Sequence, residues 1–156
     1  MIIRFVQGSH LSSQMIVGLE KLAMPFTPSH VEARTPDGGF YLGSMYDGGV
    51  QKRPVGYDNG IINHELLLPV EATAEQDAAF WAFLEGKIGE PYDSAAIFGF
   101  VIPVREHLIN HAICSALITL ALRACKWFPY PLAAPAHLID PRDLLLLLSG
   151  RMAIPM

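Results

Sequence analysis

Cysteine is scarce in this chain. There are two, Cys114 and Cys125, in 156 residues. That excludes a disulfide-stapled scaffold. They stand eleven positions apart, or about 16 Å along a helix axis if one helix carries both, so they do not pair with each other there. Charge is also sparse, at 17% of residues. Eleven Lys and Arg face fifteen Asp and Glu, for a net charge of −4. No polybasic patch tracks a phosphate backbone, so nucleic acid is not an expected partner. Long apolar runs are missing too. A membrane span needs about 20 such residues, and the longest stretch, residues 112–125, is shorter and carries Ser115, Thr119 and Arg123. No transmembrane segment is expected. The opening MIIRFVQGSH lacks the apolar core and small-residue cleavage site of a secretory signal, which points to a cytoplasmic or phage-associated protein.

What is present is apolar matter for one good core. Hydrophobic residues make up 51% of the chain and mean hydropathy is +0.31. The length suits a single domain over residues 1–156. MIIRFV, rich in β-branched and aromatic residues, reads as a strand. SSQMIVGLEKLA reads as a short helix capped by Ser12 or Ser13, with Met15, Ile16, Leu19 and Leu22 on its apolar side. HVEAR and FYLGSM flank PDGG, a strong turn signal, and form an antiparallel hairpin. YDGGVQKRPVGYDNG reads as a long loop or ragged strand, and HELLLPV as a strand. EATAEQDAAFWAFLEGK reads as a helix with Thr73 as N-cap, Gln76 three positions on, and an apolar side of Ala79, Phe80, Phe83 and Leu84. A third helix is predicted over about 112–126. A fourth is predicted in PRDLLLLLSG, with Pro141 in its first turn and Gly150 as its stop. The pattern is α+β, a small antiparallel β-sheet packed with helices.

The predicted helix over 112–126 raises a chemical question. Cys114, Leu117, Ile118, Ala121, Leu122 and Cys125 share one face, so Cys114 can serve as a small core hydrophobe. It also falls in the first predicted turn, where unpaired N–H groups and the helix dipole favour a thiolate. Cys125 lies at the opposite end, where the dipole disfavours one. A thiol nucleophile needs a base. His30 opens the hairpin, which is a rigid mount. Across that hairpin position 30 faces about 45 or 46, which brings Ser44 near it. Glu32 lies two residues along the same strand, on the same face. Either could orient the imidazole. His107 and His111 have an i,i+4 spacing that can bind a metal, but no further ligand cluster completes a zinc site, and none is expected. His10, His64 and His137 have no supporting context.

Three short motifs occur in a telling order: SHVEA at 29–33, GEPYD at 89–93 and CSALITLAL at 114–122. Together they resemble the circularly permuted branch of the NlpC-type papain-like cysteine peptidase and amidase superfamily. That branch includes YiiX/YaeF-like bacterial proteins and the lecithin retinol acyltransferase group. There a histidine strand precedes a late cysteine helix. PAHLIDPRDLL near the C-terminus is similar to the segment that closes permuted members. The resemblance covers residues of about 27–148. It implies a permuted papain-like fold with the nucleophile at a helix N-terminus, Cys114 as nucleophile, and His30 as base. It also implies that Tyr92 lies near the oxyanion beside the Cys114 backbone N–H. One departure stands out. Permuted members tend to carry a glutamate or histidine on the second hairpin strand, where this chain has Gly43 and Ser44.

The expectation is a thiol hydrolase or acyltransferase acting on an amide or ester, in a peptide, lipid-linked or small-molecule substrate, without cofactor or metal. YDGGVQKRP is similar to a stretch of leaderless phage-type members of the permuted group. The alternative is a non-catalytic phage- or host-interaction protein of the same fold. A lipid-handling protein is a third reading.

Overall fold

A computed structural model describes residues 1–8, 26–45, 47–90 and 106–151, without the side chains of 106–113 and 151. The helix expected over SSQMIVGLEKLA lies outside the described residues. Among the described residues five strands are formed: β1 (Ile2–Gly8), β2 (His30–Arg34), β3 (Phe40–Met45), β4 (Gly49–Pro54) and β5 (Ile62–Pro69). They make one antiparallel sheet in the order β4-β3-β2-β1-β5. The helices among the described residues are α1 (Ala74–Gly86), α2 (Glu106–Ala124) and α3 (Pro141–Arg151), with a 3-10 turn at Ala136–Leu138. The α+β class is thus observed, with the helices packed against the sheet.

Side-chain alternation divides the sheet into two faces. Ile3 and Phe5 of β1, Val31 and Ala33 of β2, Leu42 of β3 and Val50 of β4 join the core with α2 residues Cys114, Leu117, Ile118, Ala121 and Leu122. The shared helical face read from the sequence is therefore the buried one. Leu144, Leu145 and Leu148 of α3 close the same core, while Leu146 and Leu147 stay exposed. On β1 and β2 the intervening positions, Arg4 and Glu32, point to the other face and are buried as well, at 2% and 0% exposure. Buried charges on one side of a small sheet demand partners.

The hairpin forms around Pro36–Gly39 as its turn residues dictate. Gly38 takes φ 74, a left-handed conformation that glycine adopts without steric cost. Thr35 Oγ1 accepts from the Phe40 N–H at 3.0 Å, and Asp37 Oδ1 accepts from the Gly39 N–H at 3.0 Å. The register pairs Ala33 with Leu42 and Arg34 with Tyr41. The segment expected to be loop or ragged strand contains β4, paired regularly with β3 from Phe40↔Pro54 to Met45↔Gly49. Gly48 and Gly49 sit at the start of the strand and Gly56 and Gly60 beyond its end, and Val50 is buried, which supplies the packing that composition alone does not reveal.

Helix α1 starts at a complete capping box. Thr73 Oγ1 accepts from the Gln76 N–H, and the Gln76 side chain accepts from the Thr73 N–H. Its buried residues are Phe80, Trp81 and Leu84. Trp81 therefore faces inward where Ala79 was expected, and it meets Phe80 edge to face at 5.5 Å. α1 is fastened to the end of α2 by Gln76 Nε2 donating to the Lys126 carbonyl at 3.2 Å. Trp127 Nε1, just beyond, donates to the Glu71 carbonyl at 2.8 Å. Helix α3 is capped by Asp140, whose Oδ1 accepts from the Asp143 N–H at 2.7 Å, and it runs on past Gly150 to Arg151.

The start of α2 differs from the expectation. The helix begins at Glu106, so Cys114 is more than two turns inside it rather than in its first turn. EHLINHA is polar enough to read as a connection, yet it contains no proline or glycine to stop a helix. An interior residue has its N–H in the i→i−4 ladder. The helix-terminus argument for Cys114, and the use of its N–H for an oxyanion, both fall with this boundary. No helix among the described residues is long and apolar enough to cross a membrane.

Candidate active site

His30 is the first residue of β2, at the rim where the sheet meets α2. From there it is electrostatically coupled to groups on both sides, the Cys114 side chain and Glu32. Its Nε2 lies 3.5 Å from Glu32 Oε2, an ion-pair separation that is not a hydrogen bond. The imidazole is 23% exposed and the Glu32 carboxylate is fully buried. Cys114 is fully buried too, and neither cysteine is in a disulfide. A thiol late in the chain and an imidazole early in it thus share one site.

Ser44 and Glu32 were both open as the orienting group. Continuing the β2–β3 register places Glu32 opposite Gly43, and a Cβ built on Gly43 would lie 2.8 Å from the Glu32 Cβ. Ser44 is the next residue along β3 and so faces the other way. Its hydroxyl is buried and makes no hydrogen bond among the described residues. Ser44 therefore does not hold the ring; Glu32 is the residue placed to do so. Glu32 lies directly across from a glycine that leaves it room. Tyr92 lies outside the described residues. So do His10 and the side chains of His107 and His111.

Beneath Glu32 sits a cluster that sequence reading missed. Arg4 Nη1 donates to Glu32 Oε1 at 2.6 Å and contacts Asp58 Oδ2 at 2.9 Å. Nη2 donates to Asp58 Oδ1 at 3.1 Å, and Nε to Glu65 Oε2 at 2.7 Å. The guanidinium also lies 4.2 Å from the centroid of the Tyr41 ring. Tyr57 donates its hydroxyl to Glu32 Oε2 at 3.2 Å. One signal was available for this cluster: an arginine inside the strongly apolar MIIRFV and a glutamate inside HVEAR, each needing a partner if its strand is covered on both faces.

The electrostatics follow from this arrangement. Burial alone lowers the pKa of His30; the electrostatic coupling to Cys114, reinforced by Glu32, outweighs it and raises the pKa to about 10. Burial also opposes ionisation of Glu32, but His30 and Arg4 together hold its carboxyl below the usual range. Burial and the neighbouring Glu32 and Asp58 push the Tyr57 phenol well above its ordinary value, so it remains a hydrogen-bond donor. At the far end of α2, burial raises the Cys125 thiol, which donates to the Leu122 carbonyl at 3.3 Å. No group of three or more metal-ligating side chains occurs among the described residues.

Chemically, the site joins a nucleophile type, a proton carrier and a buried carboxylate that orients the carrier, the combination that thiol-based acyl transfer requires. Compared with known proteins, the chain matches no family model, no curated protein and no solved structure.

Proposed function

We propose that the protein is a cysteine hydrolase or acyltransferase acting on an amide or ester bond, with a circularly permuted papain-like arrangement of its catalytic groups. The observation that carries this reading is the joint coupling of His30 to Cys114 and Glu32. The order of the groups supports it: the histidine strand comes before the cysteine helix. In the reaction the Cys114 thiol gives its proton to His30 and its sulfur forms a bond to the substrate carbonyl carbon. The leaving amine or alcohol departs with a proton from His30, and a thioester remains. Water or another acceptor then attacks the thioester, His30 takes its proton, and the thiol is regenerated. Glu32 fixes the ring and stabilises its cationic form. Thiol, imidazole, carboxylate and an acceptor suffice for this chemistry. Peptide, lipid-linked and small amide or ester substrates all fit it.

Labelling with an electrophilic acyl probe tests the proposal. Cys114→Ala abolishes labelling, whereas Cys125→Ala leaves it in place. Labelling that survives loss of Cys114 rejects the assignment.

A second reading is favoured by one specific observation, the complete burial of Cys114 within the body of α2. It is a non-catalytic phage- or host-interaction protein that keeps the same arrangement. The pH dependence of Cys114 alkylation separates the two. Fast alkylation well below pH 8 belongs to the enzyme, and a slow reaction that appears only in alkali belongs to the binding protein.

A further inference from the structure

We infer that Arg4 is a positioning residue for the thiol–imidazole pair, acting through Glu32. This rests on the catalytic reading of Cys114 and His30 and goes beyond it by placing a determinant of their chemistry on β1.

The geometry is specific. Each oxygen of the Glu32 carboxylate has its own partner. Oε1 is held by Arg4 at 2.6 Å, while Oε2 takes the Tyr57 hydroxyl at 3.2 Å and faces His30 Nε2 at 3.5 Å. Gly43 opens the space in which the side chain lies. Arg4 cannot swing away, because its other nitrogens are engaged by Asp58 and Glu65 and its face is stacked on Tyr41. A planar guanidinium with fixed forks sets the plane of a carboxylate, which a lysine ammonium does not.

The charge balance points the same way. One guanidinium among three carboxylates leaves a formal excess of negative charge, and the cationic ring of His30 is the group placed to offset it. The groups facing that ring are Glu32 on β2 and Cys114 on α2; behind Glu32 stand Arg4 on β1 and Tyr57 in the turn after β4, and around Arg4 stand Asp58 in the same turn, Glu65 on β5 and Tyr41 on β3. Arg53 of β4 lies over the Tyr57 ring at 5.1 Å.

A merely structural role would make Arg4 a rivet between strands. The two roles separate in the pH profile of Cys114 alkylation by iodoacetamide on the full chain, measured well below each variant's melting temperature. Arg4→Lys keeps the charge and loses the fork. The positioning role expects the acid limb of the profile to move up by about half a pH unit or more, a drop in rate near pH 6 of about threefold. A lower melting temperature with an unmoved profile overturns the inference. Should Arg4→Lys not fold, the triple variant Arg4→Met, Asp58→Asn, Glu65→Gln removes the guanidinium together with two of the carboxylates it neutralises. It leaves Glu32 in place and is read by the same shift. Wild-type protein that alkylates only in alkali overturns the catalytic reading itself. A wild-type acid limb that neither variant moves overturns only the role of Arg4.

Discussion

Glu32 and Gly43 face each other across the hairpin so closely that one of them must lack a side chain: a methyl at position 43 would stand 2.8 Å from the Glu32 Cβ. The neighbour at risk is the base of a buried side chain on a paired strand, so it cannot yield cheaply. Gly43→Ala is expected to cost about 1–3 kcal/mol, as overpacking does, read as a lower midpoint in urea denaturation. It is also expected to slow Cys114 alkylation near neutrality, because Glu32 is pushed off its line to His30. Unchanged stability together with unchanged reactivity would show that the strands part freely at this point.

The raised pKa of His30 makes stability depend on pH in a definite direction. A group whose pKa is higher in the folded state contributes fully below its unfolded value of 6.5 and loses that contribution as pH rises toward about 10. Glu32, whose pKa is lowered, behaves oppositely: its contribution holds above the unfolded value of 4.5 and fades as pH falls. The pair is therefore most stabilising between these two unfolded values. Melting temperature measured from pH 6 to pH 10 is expected to fall, and His30→Gln to flatten that fall. An equally steep decline in the variant would assign the dependence to other groups.

Glu32→Gln tests the carboxylate without emptying its space. Breaking a buried pair costs about 3–5 kcal/mol. Arg4 retains Asp58 and Glu65, which places the expected loss near the lower end of that range. The His30 pKa, followed by NMR titration of the ring protons, is expected to fall from about 10 toward its ordinary value. A ring that titrates unchanged would leave Cys114 alone as the cause of the shift.

The capping box at the start of α1 offers a local contrast. Thr73→Ala removes the acceptor for the Gln76 N–H and is expected to cost about 1 kcal/mol. Labelling of Cys114 is expected to stay at the wild-type level, since α1 reaches α2 at its far end, through Lys126 and Trp127. Loss of labelling in this variant would show that reactivity follows global stability and not the site.

The parts of this structure that were readable in the sequence are those with local causes. PDGG announces the β2–β3 hairpin, Thr73 with Gln76 announces α1, and Pro141 begins α3 as its fixed φ allows. The burial of Cys114, Leu117 and Ile118 on one face followed from helical spacing. The start of α2 was not readable, because the polar residues of its first turns read as a connection. β4 was hidden among glycines until its pairing with β3 gave them a role. The charged cluster was least visible of all. Arg4 meets Glu32, Asp58 and Glu65 at separations of 28, 54 and 61 residues, and no local pattern encodes contacts of that length.

Those separations bear on when the site comes into being during folding. The three acids gathered by Arg4 lie on β2, in the turn after β4 and on β5, so the assembly closes only after the most distant strand has docked beside the first. Contacts of such long range form late. In a half-folded chain the proposed site is therefore incomplete until β5 has closed the sheet and α2 has docked on it.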